Sequence, residues 1–481
     1  MKKNDILTGK VNSVGMNGEG IIRIDGTTFF VPFCLPDEII DFKVLKVKGS
    51  IGYGKVENVK SPSISRLKPV CSVFYKCGGC QLQHADYKAQ TEYKADIVKT
   101  CFKKIAGLDI EINKKFSSPK EYGYRNKLQL PTRFDGRENA VGFFRNNSHA
   151  VVKTATCPIH GAWADEVIAA VNEYVESYKI PLYNEANSSG ILRHVVVREI
   201  NGEYLFTFVV NANDLPHADE LMNILKKRFD KFSLFVNINK LDTNVILGDE
   251  YKLLYGKGYI ELTEFGVKYR IGPQAFYQVN TPVKTEIYTD VLSFIGDDRP
   301  AVIDAYAGAG VLTAMLAKKA KTAYGVEIIK EACDSAEKLA KDNGIDNMSV
   351  ICGDCEKVLP DLIGKIKSEG EKTVVVFDPP RKGVDIKTLL SALENKPDTI
   401  IYISCSPQTL ARDVGVLVGS LKYENGQIIN LSADFSPNYT IDFVGVYDMF
   451  PQTKHVETCV SLRKKENSDE EPFKPGSSNL K

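Results

Sequence analysis

Ala301-Val302-Ile303-Asp304-Ala305-Tyr306-Ala307-Gly308-Ala309-Gly310 joins an apolar run to a glycine-containing turn, and LTAMLAKKA at 312–320 follows with helical character. The rhythm then repeats, with TAYGVEI (322–328) before KEACDSAEKLAKDNG (330–344) and later MSVICGD (348–354), TVVVFDPP (373–380) and TIIYISCSP (399–407). Near-continuous apolar strands separated by helices predict a parallel sheet covered on both faces, a doubly wound domain over 281–465. In such a sheet ligands bind beyond the carboxyl ends of the strands. Gly308 and Gly310 fall at that end of the first strand, and Glu327 closes the second, where a carboxylate can accept both hydroxyls of a ribose. A dinucleotide fingerprint wants a third glycine where this chain has Thr313. With Asp304 ahead of the turn, the pattern fits S-adenosylmethionine better than NAD, because that cofactor has no pyrophosphate to cradle. Asp354, after the third strand, is placed either at the adenine or in a solvated loop.

Two further strand ends carry chemistry. Asp378-Pro379-Pro380 stops its strand and holds a carboxylate at the pocket rim, an arrangement that serves either an exocyclic amine or a ring carbon as methyl acceptor. Ser404-Cys405-Ser406-Pro407 puts a thiol at the end of a buried strand. A thiolate is a strong nucleophile even when only a few per cent is ionised, although a buried cysteine is also common as inert packing. Amine methylation has no use for a thiol. Uracil does, since its C5 becomes nucleophilic only after a thiolate adds to C6, and the C5 proton must then be removed by a general base. Glu457, in DMFPQTKHVETCVSL (448–462), alternates with Val456 and Thr458 on a terminal strand and is the candidate base.

Upstream, the chain changes character. Short apolar stretches broken by turn signals between Lys10 and Val59 predict a small β-barrel of about five strands, an OB-like domain over 1–60 that either binds oligonucleotides or is purely structural. SPSISRLKP reads as a linker, YKAQTEYKADIVKTCFKKI (87–105) as a helix, and 121–270 as mixed α/β, giving a central domain over 61–280. Cys71, Cys77 and Cys80 form C-x5-C-x2-C, and Cys157 follows far downstream. Four such thiolates can enclose a zinc ion, with His84 or His160 as alternative ligands, or an iron–sulfur cluster. Cys352 and Cys355 make a second C-x2-C that reads as incidental, and Cys34, Cys101, Cys333 and Cys459 receive no role. The polar end, 466–481, predicts a disordered tail.

Length and charge set the frame. The 481 residues, with 43% hydrophobic and 26% charged side chains, exceed one core and suggest about three domains. No apolar run reaches the roughly 18 residues of a membrane span, and MKKNDILTGK has no apolar segment behind its lysines, so a cytoplasmic protein without membrane contact is expected. The net charge of +1 conceals an asymmetry: residues 1–130 hold 22 Lys and Arg against 13 Asp and Glu, a net of +9, which leaves −8 for the rest. A basic front suits a phosphate backbone and equally suits a solvated surface.

In combination, DAYAGAG, DPPRKG, ISCSP and FPQTKHVET, in this order, resemble the RNA uracil-5-methyltransferases, and residues 10–59 resemble the TRAM domain at the front of many members. The resemblance implies Cys405 as nucleophile and Glu457 as base. It also implies Gln278 (in FYQVN), Tyr306, Glu327 and Asp378 as cofactor-binding positions, and Arg125 in a segment that lines the substrate site. PVCSVFYKCGGCQLQH resembles the [4Fe–4S] site of the family's ribosomal-RNA branch, which implies a cluster on Cys71, Cys77, Cys80 and Cys157. The expectation is therefore an α/β multidomain enzyme, taken as a monomer, that methylates C5 of a uridine in structured RNA. 23S ribosomal RNA is preferred because the family's transfer-RNA branch typically lacks both barrel and cluster. Transfer-RNA methylation, DPP-type amine methylation and non-catalytic RNA binding are the alternatives.

Overall fold

The computed structural model describes residues 1–431 and 435–465; the expected tail lies outside the described residues. The carboxyl-terminal half is built on an eight-stranded sheet in the order Met348–Cys352, Thr322–Glu327, Ala301–Asp304, Thr373–Phe377, Thr399–Ser404, Glu457–Lys464, Tyr439–Tyr447, Lys114–Phe116. The first five strands run parallel, and Glu457–Lys464 enters antiparallel against Thr399–Ser404. The strands Ala301–Asp304 and Thr373–Phe377 are buried along their whole length, because helices cover both faces of the sheet. Their apolar side chains separate into two cores. One holds Ile303, Val375, Phe377 and Tyr402; the other holds Val302, Val374, Val376 and Ile401. This is the period-two alternation of strands sandwiched between helices.

Part of the stretch expected to be central is woven into this sheet. The helix Tyr87–Cys101, capped by the Asp86 carboxylate on the Ala89 amide at 2.8 Å, buries Ala95 and Val98 in the first core. It runs on through a single π turn, Phe102–Ala106, that ends at Gly107 with φ +69°. Lys114–Phe116 then pairs parallel with Gly445–Tyr447 as the edge strand. The hairpin Ile260–Glu264/Val267–Ile271 packs on the other face of the sheet. Sequence proximity favoured a contiguous central domain; apolar burial crosses that boundary at 87–116 and 260–271.

The rest of the middle forms a seven-stranded sheet in which Lys127–Phe134, Leu192–Ile200, Glu203–Val210 and Phe232–Ile238 are neighbours. The helices Ala162–Ser177 and Ala218–Lys226 close one core with its strands, centred on Tyr174, Phe206 and Phe208. At the front, six strands between Ile6 and Ser61, against about five expected, form one sheet around Val11, Ile22, Phe29, Val31, Phe42 and Val44. Gly52 and Gly54 let it curl tightly: a Cβ there would lie 2.3 Å from the Phe29 ring and 2.6 Å from that of Phe42. No helix among the described residues is long and apolar enough to cross a membrane.

Candidate active site

The glycine turn has the conformation that the sequence implies. Gly308 and Gly310 take φ of +53° and +76°, and the helix Val311–Ala317 starts immediately after them. The Gly308 amide donates to Glu327 Oε2 at 3.0 Å, while Oε1 accepts from the Ile329 amide at 2.9 Å. Glu327 therefore ties the first turn to the second and fixes its carboxylate at the strand end. Asp304, buried directly before the turn, accepts from the Thr313 hydroxyl at 2.6 Å; its other oxygen has no protein partner among the described residues. Thr313, the position that lacks the third glycine, thus holds that aspartate in place. Burial pushes the Asp304 carboxyl up to about 6. Asp354 has a local job: it caps the helix Cys355–Ser368 by accepting the Glu356 amide at 3.1 Å.

Asp378 and Tyr306 lie at neighbouring strand ends on the same edge. Burial, and then the charge of Asp304, push the Asp378 carboxyl up to about 7. Tyr288, half-buried and in the field of both aspartates, has its phenol pushed up by burial as well. Three acidic ends, Glu327, Asp304 and Asp378, are thus lined along the carboxyl edge of adjacent parallel strands, which is where the sequence predicted a ligand.

Cys405 and Glu457 are brought together by strand register. In the antiparallel pair, Ile403 faces Cys459 and Ser404 faces Thr458, where the ladder ends. Cys405 and Glu457 are the next residues along the two chains, near enough for the Glu457 charge to act on the Cys405 thiol. Glu457 is 5% exposed; burial first, then Asp378, push its carboxyl up to about 8, against the lowering pull of Arg381. Burial and then the Glu457 charge push the Cys405 thiol up, and Arg381 again acts in the opposite sense. A half-buried thiol thus lies beside a buried carboxyl whose ionisation is pushed up to about 8.

Arg381, which directly follows Asp378-Pro379-Pro380 and received no role in the sequence reading, acts by its charge on both Cys405 and Glu457. Its loop is pinned from behind. Asp413 accepts from the Val384 amide at 2.9 Å and from the Tyr402 hydroxyl at 2.5 Å, Arg412 donates to the carbonyls of Lys382 and Val384, and Thr409 donates to that of Arg381. The loop carrying Glu457 is clamped from the upstream segment. Lys94 and Asp448, each 1% exposed, pair at 2.6 Å; Tyr124 donates to Pro451 O at 3.0 Å; Gln90 and Gln452 bond each other twice. A lysine on the apolar face of the predicted helix, next to Ala95 and one turn before Val98, was the one sequence signal of this clamp.

Gln278 sits in the loop before the helix Thr281–Ser293, held where Asn126 donates to its carbonyl at 2.9 Å. Arg198, buried and over the Tyr277 ring, donates to Ala275 O at 2.7 Å and steadies the same loop. Arg125, half-buried on the neighbouring segment, donates to Lys127 O at 3.3 Å and lines a cavity of about 180 Å³ with Cys71, Cys77, Cys80 and Cys157. His160 shares that cavity, its Nδ1 3.1 Å from Cys157 Sγ and its Nε2 2.9 Å from Lys127 O. His84 does not: its ring is fully buried against Phe33 and Phe74, so this alternative ligand is excluded by packing. Among the described residues no three His, Cys, Asp or Glu side chains converge on a single-ion position. Cys352 and Cys355 diverge, the first exposed and the second donating to Ala305 O.

A doubly wound sheet joined by the antiparallel strand Glu457–Lys464, with a glycine turn and acidic strand ends, defines a methyltransferase of the S-adenosylmethionine-dependent class. The family model described as tRNA (Uracil-5-)-methyltransferase matches residues 86–465, and the chain belongs to this RNA uracil-5-methyltransferase family. RNA methyltransferases of Clostridium tetani and Clostridium acetobutylicum, themselves uncharacterized, are 37% and 38% identical over 471 and 475 residues. Each alignment covers 96% of this chain and 97% or 98% of the relative. Among solved structures, the Pyrococcus abyssi tRNA (uracil-54, C5)-methyltransferase in complex with S-adenosyl-L-homocysteine superimposes with a TM-score of 0.71 at 26% identity, covering 95% of this chain and all of that one.

Proposed function

We propose that the protein methylates C5 of a uridine in 23S ribosomal RNA through a covalent bond between Cys405 and C6. The observation that carries this reading is the nearness of Cys405 and Glu457 where their paired strands meet, with Asp378 and Arg381 acting on both. The glycine turn, Tyr306, Glu327, Asp378 and Gln278 would hold S-adenosylmethionine, and the unpartnered oxygen of Asp304 leaves an acceptor in the same place. That cofactor supplies an electrophilic methyl group. Cys405 Sγ adds to C6, and the electron pair displaced to C5 forms the new carbon–carbon bond. Glu457 takes the C5 proton, and the returning pair expels the Cys405 thiolate and restores the ring. A carboxyl held near 8 suits this role, since it gives up its proton to solvent between turnovers. The uridine must leave its stack, because the thiolate approaches from the ring face.

The four thiols of Cys71, Cys77, Cys80 and Cys157 would hold a [4Fe–4S] cluster. The four cysteines line one cavity, as a cysteine-held cluster requires, and the likeness of this stretch to the family's cluster site supports the reading over zinc. Its role here would be to fix the fold, since the proposed reaction moves no net electrons. The front sheet is read as a TRAM-like barrel for RNA, in keeping with the basic front of the chain.

Transfer RNA is the second reading, favoured by one observation. The Pyrococcus abyssi enzyme, which by name acts on uracil-54 of tRNA, aligns with 95% of this chain, so possession of this architecture does not by itself choose ribosomal RNA. The deciding experiment uses 23S and transfer RNA containing 5-fluorouridine, with S-adenosylmethionine and a denaturing gel. Fluorine cannot leave as a cation, so the adduct is expected to persist with the true substrate and to vanish in Cys405→Ala. A band with tRNA alone reassigns the substrate; no band with either rejects the covalent mechanism.

A further inference from the structure

A second cavity, of about 410 Å³, adjoins the cysteine-lined one, sharing Gly79, Gln129 and Phe143 with it, and no step of the proposed reaction uses it. Gly78 and Gly79 form one wall and the end of the strand Asn139–Phe144 the other. The two walls are stitched by the Gly78 amide donating to Phe144 O at 2.9 Å and by a bridge between Cys77 and Arg145. Around this space stand a half-buried aromatic residue, Phe144, and the polar residues Gln129, Arg145, Asn146, Asn147 and His194.

The buried polar groups here are incompletely matched. His194 is 4% exposed, yet its Nδ1 has no hydrogen-bond partner among the described residues, and burial drives the ring to its neutral form, with a pKa of about 3. Burying an imidazole nitrogen without a partner is costly, and a ligand that supplies the missing hydrogen bond offsets that cost. Behind Phe144 the charge is one-sided. The Arg133 guanidinium lies 5.5 Å from the Phe144 ring centre, and Arg193 lies 4.5 Å from that of Tyr183. The hydrogen bonds of Arg133 and Arg193 go to backbone carbonyls, and both Nε atoms are buried without partners among the described residues. Glu185, the carboxylate whose field reaches Arg133, is bonded to His149 instead.

We propose that this cavity receives an unstacked nucleotide of the RNA substrate, with its base on Phe144 and its Watson–Crick edge read by amides and by His194. An aromatic platform with amide edges and a basic surround is how single-stranded bases are held. Pro131, Phe143 and Ile246 complete an apolar wall suited to the flat face of a base, while the unmatched His194 nitrogen and the side-chain amides suit its polar edge. The cavity is joined through one strand to the loop proposed to hold the cofactor. Asn126 bonds the loop bearing Gln278, and Gln129 follows it along an extended strand, roughly 10 Å away. The cysteine loop is thereby given a purpose, since it builds a wall of the cavity. The inference rests on the RNA-methyltransferase reading.

The test measures fluorescence anisotropy of a labelled mixed-sequence 12-nucleotide single-stranded RNA, and of the same strand annealed to its complement, with the full-length protein. Phe144→Ala is expected to raise Kd for the single strand about 5- to 150-fold, the span that loss of one base–aromatic stack gives, and to leave the duplex within twofold. Arg145→Ala/Asn146→Ala, on exposed positions, provides a second variant that does not depend on the packing of Phe144. It should raise the single-strand Kd several-fold at unchanged thermal midpoint. Equal losses for single strand and duplex, or no loss in the double variant, overturn the nucleotide pocket. Wild-type protein that binds neither RNA and transfers no tritiated methyl to RNA from a strain lacking it would instead defeat the underlying reading.

Discussion

The substitution Glu457→Gln separates the two halves of the reaction. The amide keeps the shape of the side chain but cannot accept the C5 proton, so Cys405 can still add and the new methyl bond can still form, while elimination stalls. The neighbouring negative charge that opposes thiolate formation at Cys405 also disappears, so adduct formation should not slow. A positioned general base contributes about 10²- to 10⁴-fold. With the wild-type carboxyl near 8, only about one tenth is ionised at pH 7, so the deficit of the variant should be about 10- to 10³-fold there and approach the full 10²- to 10⁴-fold at pH 9. The assay is a denaturing gel with ordinary, unfluorinated RNA, together with tritium counting: a stable protein–RNA band should accumulate with one methyl per enzyme. Turnover at the wild-type rate, or a slow variant that accumulates no adduct, would refute the assignment of Glu457.

Other consequences are as specific. For wild-type enzyme, kcat limited by elimination should climb about tenfold per pH unit below about 8, because the base must lose its proton, and level off above it; a profile flat from pH 6 to 9 contradicts the buried setting of Glu457. Lys94→Met strands the buried Asp448 carboxylate and should cost about 3–5 kcal/mol in urea unfolding, with Lys94→Met/Asp448→Leu recovering most of it. Cys80→Ser should lower iron and sulfide content and abolish visible absorption in anaerobically purified protein; stoichiometric zinc in the wild type would decide against the cluster.

How much of this was legible in the sequence depended on range. The glycine turn and the carboxylates at strand ends are local events, each set by a strand, a turn and a helix in immediate succession, so Gly308, Gly310, Glu327 and Asp378 could be placed from pattern alone. The nearness of Cys405 and Glu457 was not local. It depends on an antiparallel register between strands well separated in the chain, and periodicity carries no register; family likeness supplied the pairing, and the sheet supplies the physical reason for it. Segment 87–116 was misplaced for a related cause. Its helix reads correctly from helical spacing, but that spacing does not say against which core the apolar face packs.

The interleaving has a mechanistic consequence that a string of separate domains would lack. Glu457 follows a loop whose carbonyls, amides and carboxylate are gripped by Gln90, Lys94 and Tyr124, while Arg125 and Lys127, next in line, reach the cysteine cavity. The upstream segment therefore holds the loop that precedes Glu457 on one side and lines the cysteine cavity on the other. RNA that settles against that wall presses on the same continuous piece of chain that orients Glu457. Rigid packing transmits such displacement because protein interiors are nearly incompressible. Deprotonation of C5 is thus the step most exposed to imperfect RNA docking, because the chain leading into Glu457 is the part held by the segment that lines the cysteine cavity. A poorly matched RNA should show this as adduct that forms but releases slowly, so the ratio of trapped to released RNA reports fidelity where total methyl transfer does not.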